Sequence, residues 1–399
     1  MAVPKLRFKE FDGDWSPYVL KDFVSFRKGK GISKADISED GINECIRYGE
    51  LYTTYGQVIT KVQSKTHVSK SECVLSQAGD VLIPASGETQ IDIATASCVL
   101  KEDVILSGDL NILSHKENGE WLAYYLSSAK KLDIAQLAQG NSVVHLYSSQ
   151  LKDLKINKPS KAEQTKIASF LSSVDEKISQ LTQKHELLNQ YKQGMMQKLF
   201  SQHIRFKADD GSEFEEWDEK ILSELFDYAN GKSFEAEVIE NGSFKLITLN
   251  SIDIKGNLKN SHKTISQGDN SLLRNDLIMI LSDVAHGNFL GLTAIIPDNS
   301  FVLNQRVGRL RSKTDINICY MRFYINFNQK YFKLNGQGSS QLNLSKGDVL
   351  SFPVNLPCLE EQTKIANFLS AIDQKIEVVT QQIEQAKTWK KGLLQQMFV

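Results

Sequence analysis

Two nearly identical stretches of sequence decide how this chain folds. The first reads Glu163-Gln-Thr-Lys-Ile-Ala-Ser-Phe-Leu-Ser-Ser-Val-Asp-Glu-Lys-Ile178, and the second reads Glu361-Gln-Thr-Lys-Ile-Ala-Asn-Phe-Leu-Ser-Ala-Ile-Asp-Gln-Lys-Ile376. They lie 198 residues apart and agree at 12 of 16 positions. Phe200 and Phe398 keep the same offset. A register held over this length indicates an internal duplication.

The duplication extends well outside this block. Leu6-Arg-Phe-Lys9 matches Ile204-Arg-Phe-Lys207 at the same offset. Further matched pairs are Trp15 and Trp217, Gly29 and Gly231, Gly140 and Gly338, Leu146 and Leu344, and Pro159 and Pro357. Between these anchors the two copies diverge. The chain is therefore one module written twice, with a shared framework and a different middle in each copy.

The repeated block has the heptad pattern of a coiled-coil helix. The predicted seam positions are Ile167, Leu171, Val174, Ile178, Leu181 and Leu188 in the first copy, and Ile365, Leu369, Ile372, Ile376, Val379 and Ile383 in the second. About 40 residues at 1.5 Å each give a helix of about 60 Å. A single helix cannot bury its own apolar seam. We therefore expect the two helices to pack against each other, in antiparallel orientation. The alternative is that each helix packs only on its own module.

The modules have the patterns of mixed α/β domains. Strands are predicted at Gly79–Pro84, Asn275–Ile280 and around Ile295 and Val302, and amphipathic helices at Trp121–Leu126 and Tyr320–Ile325. We therefore predict an α+β protein with two mixed α/β domains, separated by two long helices that form an antiparallel coiled coil, in a pseudo-twofold repeat. The predicted segments are 1–158 and 204–357 for the domains, and 159–203 and 358–399 for the helices.

Composition narrows the class of protein. The chain has 399 residues, a formal net charge of −1 and five cysteines, none in a CxxC pair. The number and spacing of the cysteines argue against a disulfide scaffold and against a zinc ribbon. They favour a reducing compartment, the cytoplasm, as the location of the protein. No secretory signal and no membrane-length apolar stretch occurs in the sequence, so no membrane partner is predicted. Motifs for phosphate loops, zinc proteases and serine hydrolases are missing, and no acidic cluster recurs in both copies. We therefore predict no catalysis, no metal and no cofactor bound by this chain itself.

The divergent middles are polar, aromatic and locally basic. Side chains of these types read base edges and hold phosphates. A charged residue more often only solvates a surface, so the prediction concerns the patches rather than each member. The predicted DNA-contacting residues are Lys28, Lys30, Arg47, Tyr48, Thr53, Tyr55, Ser86, Glu88, His145, Lys232, Ser282, His286, Asn288, Asn304, Gln305, Arg306, Arg309, Arg311 and Asn343. Arg309 and Arg311 alternate, so on a strand they face one side.

The whole chain resembles the DNA-specificity subunits of type I restriction-modification systems. The phrases that carry the resemblance are the two helix openings from Glu163 and Glu361, Gly287-Asn-Phe-Leu-Gly291, Asn304-Gln-Arg-Val307, and Gly338-Ser-Ser-Gln-Leu-Asn-Leu344. Gly140-Asn-Ser-Val-Val-His-Leu146 departs from the last of these in most of its positions.

The resemblance implies that each module is a target-recognition domain reading one half of a bipartite, asymmetric site in double-stranded DNA. The helices would fix the spacer and dock two methylation subunits that methylate adenine N6. Two restriction subunits would complete the complex, and S-adenosylmethionine, ATP and Mg²⁺ would be bound by these partners. Two other classes stay open: a coiled-coil adaptor whose modules recognise proteins, and a self-sufficient enzyme.

Overall fold

The computed structural model describes residues 3–140, 143–284 and 287–398. The chain forms two compact units. Unit 1 comprises Met1–Lys184 together with Val379–Val399, and unit 2 comprises His185–Val378. The units divide the chain differently from the four predicted segments, because each long helix is shared between them.

Unit 1 contains the first module and its helices. Its strands are β1 (Ser16–Val19), β2 (Val24–Lys28), β3 (Asn43–Ile46), β4 (Val58–Ile59), β5 (Ser64–Thr66), β6 (Val74–Leu75), β7 (Asp80–Pro84), β8 (Ser86–Gly87), β9 (Ser97–Val99), β10 (Ile105–Leu106), β11 (Leu110–His115), β12 (Val144–His145) and β13 (Lys155–Lys158). Its helices are α1 (Glu50–Thr53), α2 (Gln90–Ile93), α3 (Gly119–Ser127), α4 (Lys131–Leu137), α5 (Ser148–Leu151) and α6 (Lys161–Phe200), the last continuing into unit 2. Single 3₁₀ turns lie at Leu20–Asp22, Lys34–Asp36 and Lys70–Glu72.

Two sheets build the first module. One has the order β2-β11-β7-β9-β4 and the other β5-β3-β10-β6. Most neighbours pair antiparallel, whereas β3 with β10 and β4 with β9 are parallel. Two-stranded ribbons β1-β13 and β8-β12 complete the module. The ribbon β1-β13 closes the module, because it joins the residues before the first sheet to those that enter α6.

Unit 2 repeats this plan. Its strands are β14 (Asp218–Ile221), β15 (Phe226–Asn230), β16 (Val238–Ile239), β17 (Phe244–Ile247), β18 (Lys263–Ile265), β19 (Leu277–Ile280), β20 (Ser282–Val284), β21 (Thr293–Ile295), β22 (Phe301–Leu303), β23 (Val307–Ser312), β24 (Gln341–Asn343) and β25 (Pro353–Leu356). Its helices are α7 (Leu222–Leu225), α8 (Ile318–Phe327), α9 (Gln329–Asn335), α10 (Lys346–Leu350) and α11 (Leu359–Met397), with 3₁₀ turns at Glu235–Glu237 and Leu249–Ser251. The sheets are β15-β23-β19-β21 and β16-β18-β17-β22, with ribbons β14-β25 and β20-β24.

The two long helices pack antiparallel, as predicted. In unit 1 the first half of α6 lies against the last part of α11, where Lys390 pairs with Asp175 at 2.6 Å. In unit 2 the last part of α6 lies against the first half of α11, where Lys192 pairs with Asp373 at 2.6 Å. The predicted seam residues are buried or half-buried. Most of them pack in the module cores, where residues of the other long helix join them, so the alternative that each helix packs only on its own module is wrong.

The repeated opening of each long helix ties the helix to its module. Arg7 donates to both carboxylate oxygens of Glu163 at 2.7 and 2.8 Å, and Trp15 donates to the same carboxylate at 3.2 Å. In unit 2, Arg205 donates to Glu361 at 3.2 and 2.8 Å, and Trp217 donates to it at 2.9 Å. Both carboxylates are buried. We call these groups the helix anchors; they explain why an arginine, a tryptophan and a glutamate that lie far apart in the sequence recur at matching places in both copies.

The glutamine that follows each anchor glutamate holds the start of a module helix. Gln164 accepts from the backbone N–H of Asn118 at 3.0 Å, and Gln362 accepts from that of Asn317 at 2.9 Å. The two asparagines cap α3 and α8 by accepting from the N–H three residues later, at 2.9 and 3.0 Å.

Two local expectations need correction. Trp121–Leu126 is fully buried rather than amphipathic, because the helix packs under the sheet on one side and under α6 on the other. The predicted strand from Asn275 begins only at Leu277, because Asn275 has a φ of 71° and forms a turn.

Candidate nucleic-acid interface

In unit 1 three separate chain segments meet at one edge of the module. They follow β2, β3 and β10, and backbone hydrogen bonds join them: Lys30 N–H to the Leu106 carbonyl at 3.0 Å, and Ser107 N–H to the Ile46 carbonyl at 3.0 Å. The Ser107 hydroxyl also accepts from the N–H of Tyr48 at 3.2 Å. We call residues 28–30, 47–50 and 107–109 edge 1. It unites residues that lie far apart in the sequence.

Unit 2 has the same edge. Lys232 forms an isolated parallel bridge with Asn304, and the Asn304 N–H donates to the Ile247 carbonyl at 3.1 Å. Residues 230–232, 248–251 and 304–306 form edge 2. The two edges have equivalent backbones, while most of their side chains differ.

The repeated glycine at each edge has a steric cause. A Cβ on Gly29 would lie 1.9 Å from the Ser107 carbonyl oxygen, and one on Gly231 would lie 1.9 Å from the Asn304 carbonyl oxygen. The two segments approach so closely that only glycine fits.

A two-stranded ribbon adjoins each edge. In β8-β12 the Ser86 hydroxyl lies 3.1 Å from Nδ1 of His145. In β20-β24 the Ser282 hydroxyl donates to Oδ1 of Asn343 at 2.7 Å and accepts from Nε2 of Gln341 at 2.6 Å. His145 and Asn343 occupy matching positions and are both exposed. The ribbons thus present different polar groups on the same backbone.

Backbone hydrogen bonds connect edge and ribbon identically in both units. In unit 1, Ala85 N–H donates to the Asp109 carbonyl at 2.9 Å and the Ala85 carbonyl accepts from Leu146 at 3.0 Å. In unit 2, Leu281 N–H donates to the Arg306 carbonyl at 3.1 Å and its carbonyl accepts from Leu344 at 2.8 Å. Each module therefore has one continuous polar surface made of an edge and a ribbon.

We expect Gly338→Ala to open the ribbon of unit 2. Gly338 has a φ of +127°, and an added Cβ would lie 2.0 Å from the Gln341 carbonyl oxygen. Strain of this kind costs about 1–3 kcal/mol. The amides of Gln337 and Asn343, which bond each other's carbonyls at 2.9 Å, should then exchange hydrogen about tenfold faster or more. Gly194→Ala, in the open interior of α6, is the control and should not change them; unaltered exchange in Gly338→Ala would show that the ribbon is not held by this turn.

The predicted DNA-contacting residues fall into two groups by their exposure, and their contact with DNA stays a prediction. The first group is exposed and lies at the edges, in the ribbons and in the loops beside them: Lys28, Lys30, Thr53, Glu88, His145, Lys232, Asn288, Gln305, Arg306 and Asn343. The second group is buried or half-buried: Arg47, Tyr48, Tyr55, Ser86, Ser282, Asn304, Arg309 and Arg311. His286 lies outside the described residues. The exposed group offers the most accessible surface for a ligand.

Several members of the buried group have structural partners. Arg311 donates twice to Asp276 at 2.8 and 2.7 Å, and this hydrogen bonding raises the pKa of Arg311. Arg309 lies on the same side of β23 and donates to the Ser271 carbonyl at 3.2 Å; burial lowers its pKa. The two arginines do share a face, as predicted, but that face contacts the module.

The partners of Arg47 and Tyr55 also lie within unit 1. Arg47 donates to Glu50 at 3.1 Å. The Tyr55 hydroxyl accepts from the N–H of Gln63 at 2.9 Å, and burial raises the pKa of Tyr55. Both side chains therefore support the backbone of edge 1 and the segment beside it.

Sequence reasoning missed some exposed polar residues next to these surfaces. Tyr147 follows the ribbon of unit 1, and its ring stacks on His145 with centroids 6.3 Å apart. Asn250 lies at edge 2 with an exposed side chain. The available signal for Asn250 was the short apolar run Leu246-Ile247, which is followed by the polar and turn-forming residues Thr248 to Ser251.

Within residues 3–140, 143–284 and 287–398, no group of three His, Cys, Asp or Glu side chains is placed to hold a metal ion. No helix in that part of the chain combines the length and apolar character needed to cross a bilayer.

Comparison with known proteins shows the class to which this fold and surface belong. The family model of the type I restriction modification DNA specificity domain matches twice, at residues 12–190 and 214–388. The chain therefore belongs to the type I restriction-modification DNA specificity family, and it has two recognition domains. The predicted family resemblance is confirmed.

Individual relatives match over nearly the full length. The MjaVIII specificity subunit of a type I restriction enzyme from Methanocaldococcus jannaschii is 28% identical, covering 97% of this chain and 94% of the relative. The putative MjaX specificity subunit from the same organism is 25% identical, covering 98% and 94%. A crystal structure of the S subunit from Mycoplasma genitalium has the same fold, with a TM-score of 0.65 at 18% identity, covering 100% and 99%.

Proposed function

We propose that this chain is the non-catalytic subunit that gives a type I restriction-modification complex its DNA sequence specificity. Each recognition domain reads one half of a bipartite, asymmetric site in double-stranded DNA through its edge and ribbon. The observation that carries the proposal is the duplicated surface: one backbone arrangement presents His145 in one unit and Asn343 in the other. Two equivalent readers with different side chains suit a site whose halves differ.

The partners follow from the same proposal. Two methylation subunits dock on the helices and modules and use S-adenosylmethionine to methylate adenine N6 in each half-site. Two restriction subunits supply ATP- and Mg²⁺-dependent cleavage. The complex acts in the cytoplasm, where its DNA lies. A net charge of −1 supports weak DNA affinity for the isolated chain, because phosphate affinity grows with the number of cationic contacts.

The decisive experiment is to express the chain with its methylation subunit in an unmodified host and map the modified adenines. We expect one split consensus with a fixed gap between unlike halves. Methylation without such a consensus would favour the alternative, a coiled-coil adaptor whose modules recognise proteins. The absence of methylation, together with a different protein that co-purifies with the chain, would favour the same alternative.

We also expect the helices to set the gap. α6 and α11 are continuous over 40 and 39 residues, which suits a rigid spacer. Inserting four residues, about one turn, near the start of α6 should widen the recognised gap and leave both half-sites unchanged. The same insertion at exposed Gly13 is the control and should alter neither. An unchanged gap after the helix insertion would contradict the spacer role.

A further inference from the structure

A polar cavity of about 330 Å³ opens at edge 2. Its walls include Glu235, Thr248, Asn250, Lys263, Gln305 and Arg306. The cavity lies where the 304–306 turn meets the 248–251 turn of edge 2, and the side chains of both turns differ from those of edge 1.

The groups at the back of this cavity are hydrogen-bonded to one another. Glu235 accepts from Lys263 at 2.7 Å and from Nδ2 of Asn304 at 3.0 Å, and the Lys263 hydrogen bond lowers the pKa of Glu235. Oδ1 of Asn304 accepts from the N–H of Phe234 at 3.0 Å. These contacts fix the shape of the back of the cavity.

The front of the cavity is different. The side chains of Asn250, Gln305 and Arg306 are exposed, and they have no hydrogen-bond partner within the described residues. Arg306 has a φ of +67°, a conformation that costs a non-glycine residue energy. Donors and acceptors at the front are therefore free, while the turn that carries two of them is fixed.

The backbone at Asn250 is fixed as well. Its N–H donates to the Thr248 hydroxyl at 3.3 Å, and the Thr248 N–H donates to the Ser251 hydroxyl at 2.9 Å. A short polar side chain on a held backbone loses little conformational freedom when it binds.

Edge 1 is built differently at the same place. There the turn after β3 is held by Arg47 N–H donating to Glu50 at 2.8 Å, the counterpart of the Thr248–Ser251 bond. The position that matches Asn250 is Gly49, which has no side chain. At this position the two edges thus share a backbone turn, and only edge 2 carries a side-chain amide there.

We infer that this cavity is a base-reading site, in which the Asn250 amide contacts an adenine in the major groove through N6 and N7. An asparagine amide matches that donor and acceptor pair, and no other base presents the same pair on one edge. The inference rests on the proposed function, because it assigns one base contact within the half-site of unit 2. Gln305 and Arg306 flank the amide and limit how the duplex can lie against it.

The test uses the full chain with its methylation subunit and genome-wide adenine mapping. In Asn250→Ala, one position of the unit 2 half-site should lose its adenine preference at least tenfold, while every other position stays the same. Asn250→Asp has the same shape but only accepts hydrogen bonds, so its preference should move to cytosine, whose N4 donates. The remaining positions of the unit 2 half-site report in each experiment whether unit 2 is folded.

Lys255→Ala, an exposed change outside the cavity walls, is the matched control and should leave the consensus intact. An unchanged consensus in Asn250→Asp would overturn the inference, and so would a uniform fall in methylation with the same consensus. If the unaltered chain gives no split consensus, the proposed function itself fails.

Discussion

Replacing Glu361 by alanine is expected to destabilise unit 2 by about 3–5 kcal/mol, because removing one member of a buried ion pair leaves the other charge uncompensated. The Glu361 side chain is 0% exposed and that of Arg205 is 18% exposed. The change also leaves the Trp217 indole N–H without its acceptor. One substitution thus removes the acceptor of three hydrogen bonds where α11 joins its module.

Amide hydrogen exchange in α8 is the appropriate measurement, because a chain with two units need not unfold in one step. Glu213→Ala removes an exposed pair with Lys207, which solvent screens, and should leave exchange in α8 nearly unchanged. Glu163→Ala should reproduce the large effect in unit 1. A loss in Glu361→Ala no larger than in Glu213→Ala would mean that the helix anchors do not hold the helices in place.

Exchanging the segment from Phe11 to Ile156 for that of a relative should replace one half-site completely and leave the other unaltered. Each base pair read contributes about 1–3 kcal/mol of discrimination, so a whole half-site changes specificity by several orders of magnitude. The ends of the segment suit an exchange because β1 and β13 pair with each other, with Tyr18 opposite Ile156. The new segment therefore enters and leaves at one place.

Adenine mapping again reads the outcome. The reciprocal exchange across β14 and β25, where Lys220 lies opposite Val354, should change only the other half-site. Changes in both half-sites from a single exchange would refute independent reading by the two domains.

The long helices could be predicted because their signal is local and repeated. Positions such as Leu171 and Leu369 recur in heptads, and both side chains are fully buried. The helix anchors could not be foreseen in the same way. Arg7 and Glu163 are 156 residues apart, so the sequence shows that both recur but not that they meet.

The candidate site was predicted as separate patches for a similar reason. Edge 1 depends on the parallel pairing of β3 with β10, which brings Ile46 opposite Leu106. No local pattern encodes a pairing between residues so far apart. The alternation of Arg309 and Arg311 correctly predicted that both side chains lie on one face of a strand. It could not predict that this face is turned towards Asp276 and Ser271, because those partners come from a different part of the chain.

One hydrogen bond in unit 1 bears on the order of the two copies in the gene. Leu6 N–H donates to the Gln396 carbonyl at 2.9 Å, and its counterpart in unit 2, from Ile204 to Lys198, spans 3.2 Å. In unit 2 a few residues connect these two positions covalently, whereas in unit 1 they belong to opposite ends of the polypeptide. A circularly permuted gene, opened between Phe200 and Ile204 and fused between residues 398 and 6, would encode the same contacts within each unit. We therefore expect the fold of each unit not to depend on which of the two halves comes first in the chain.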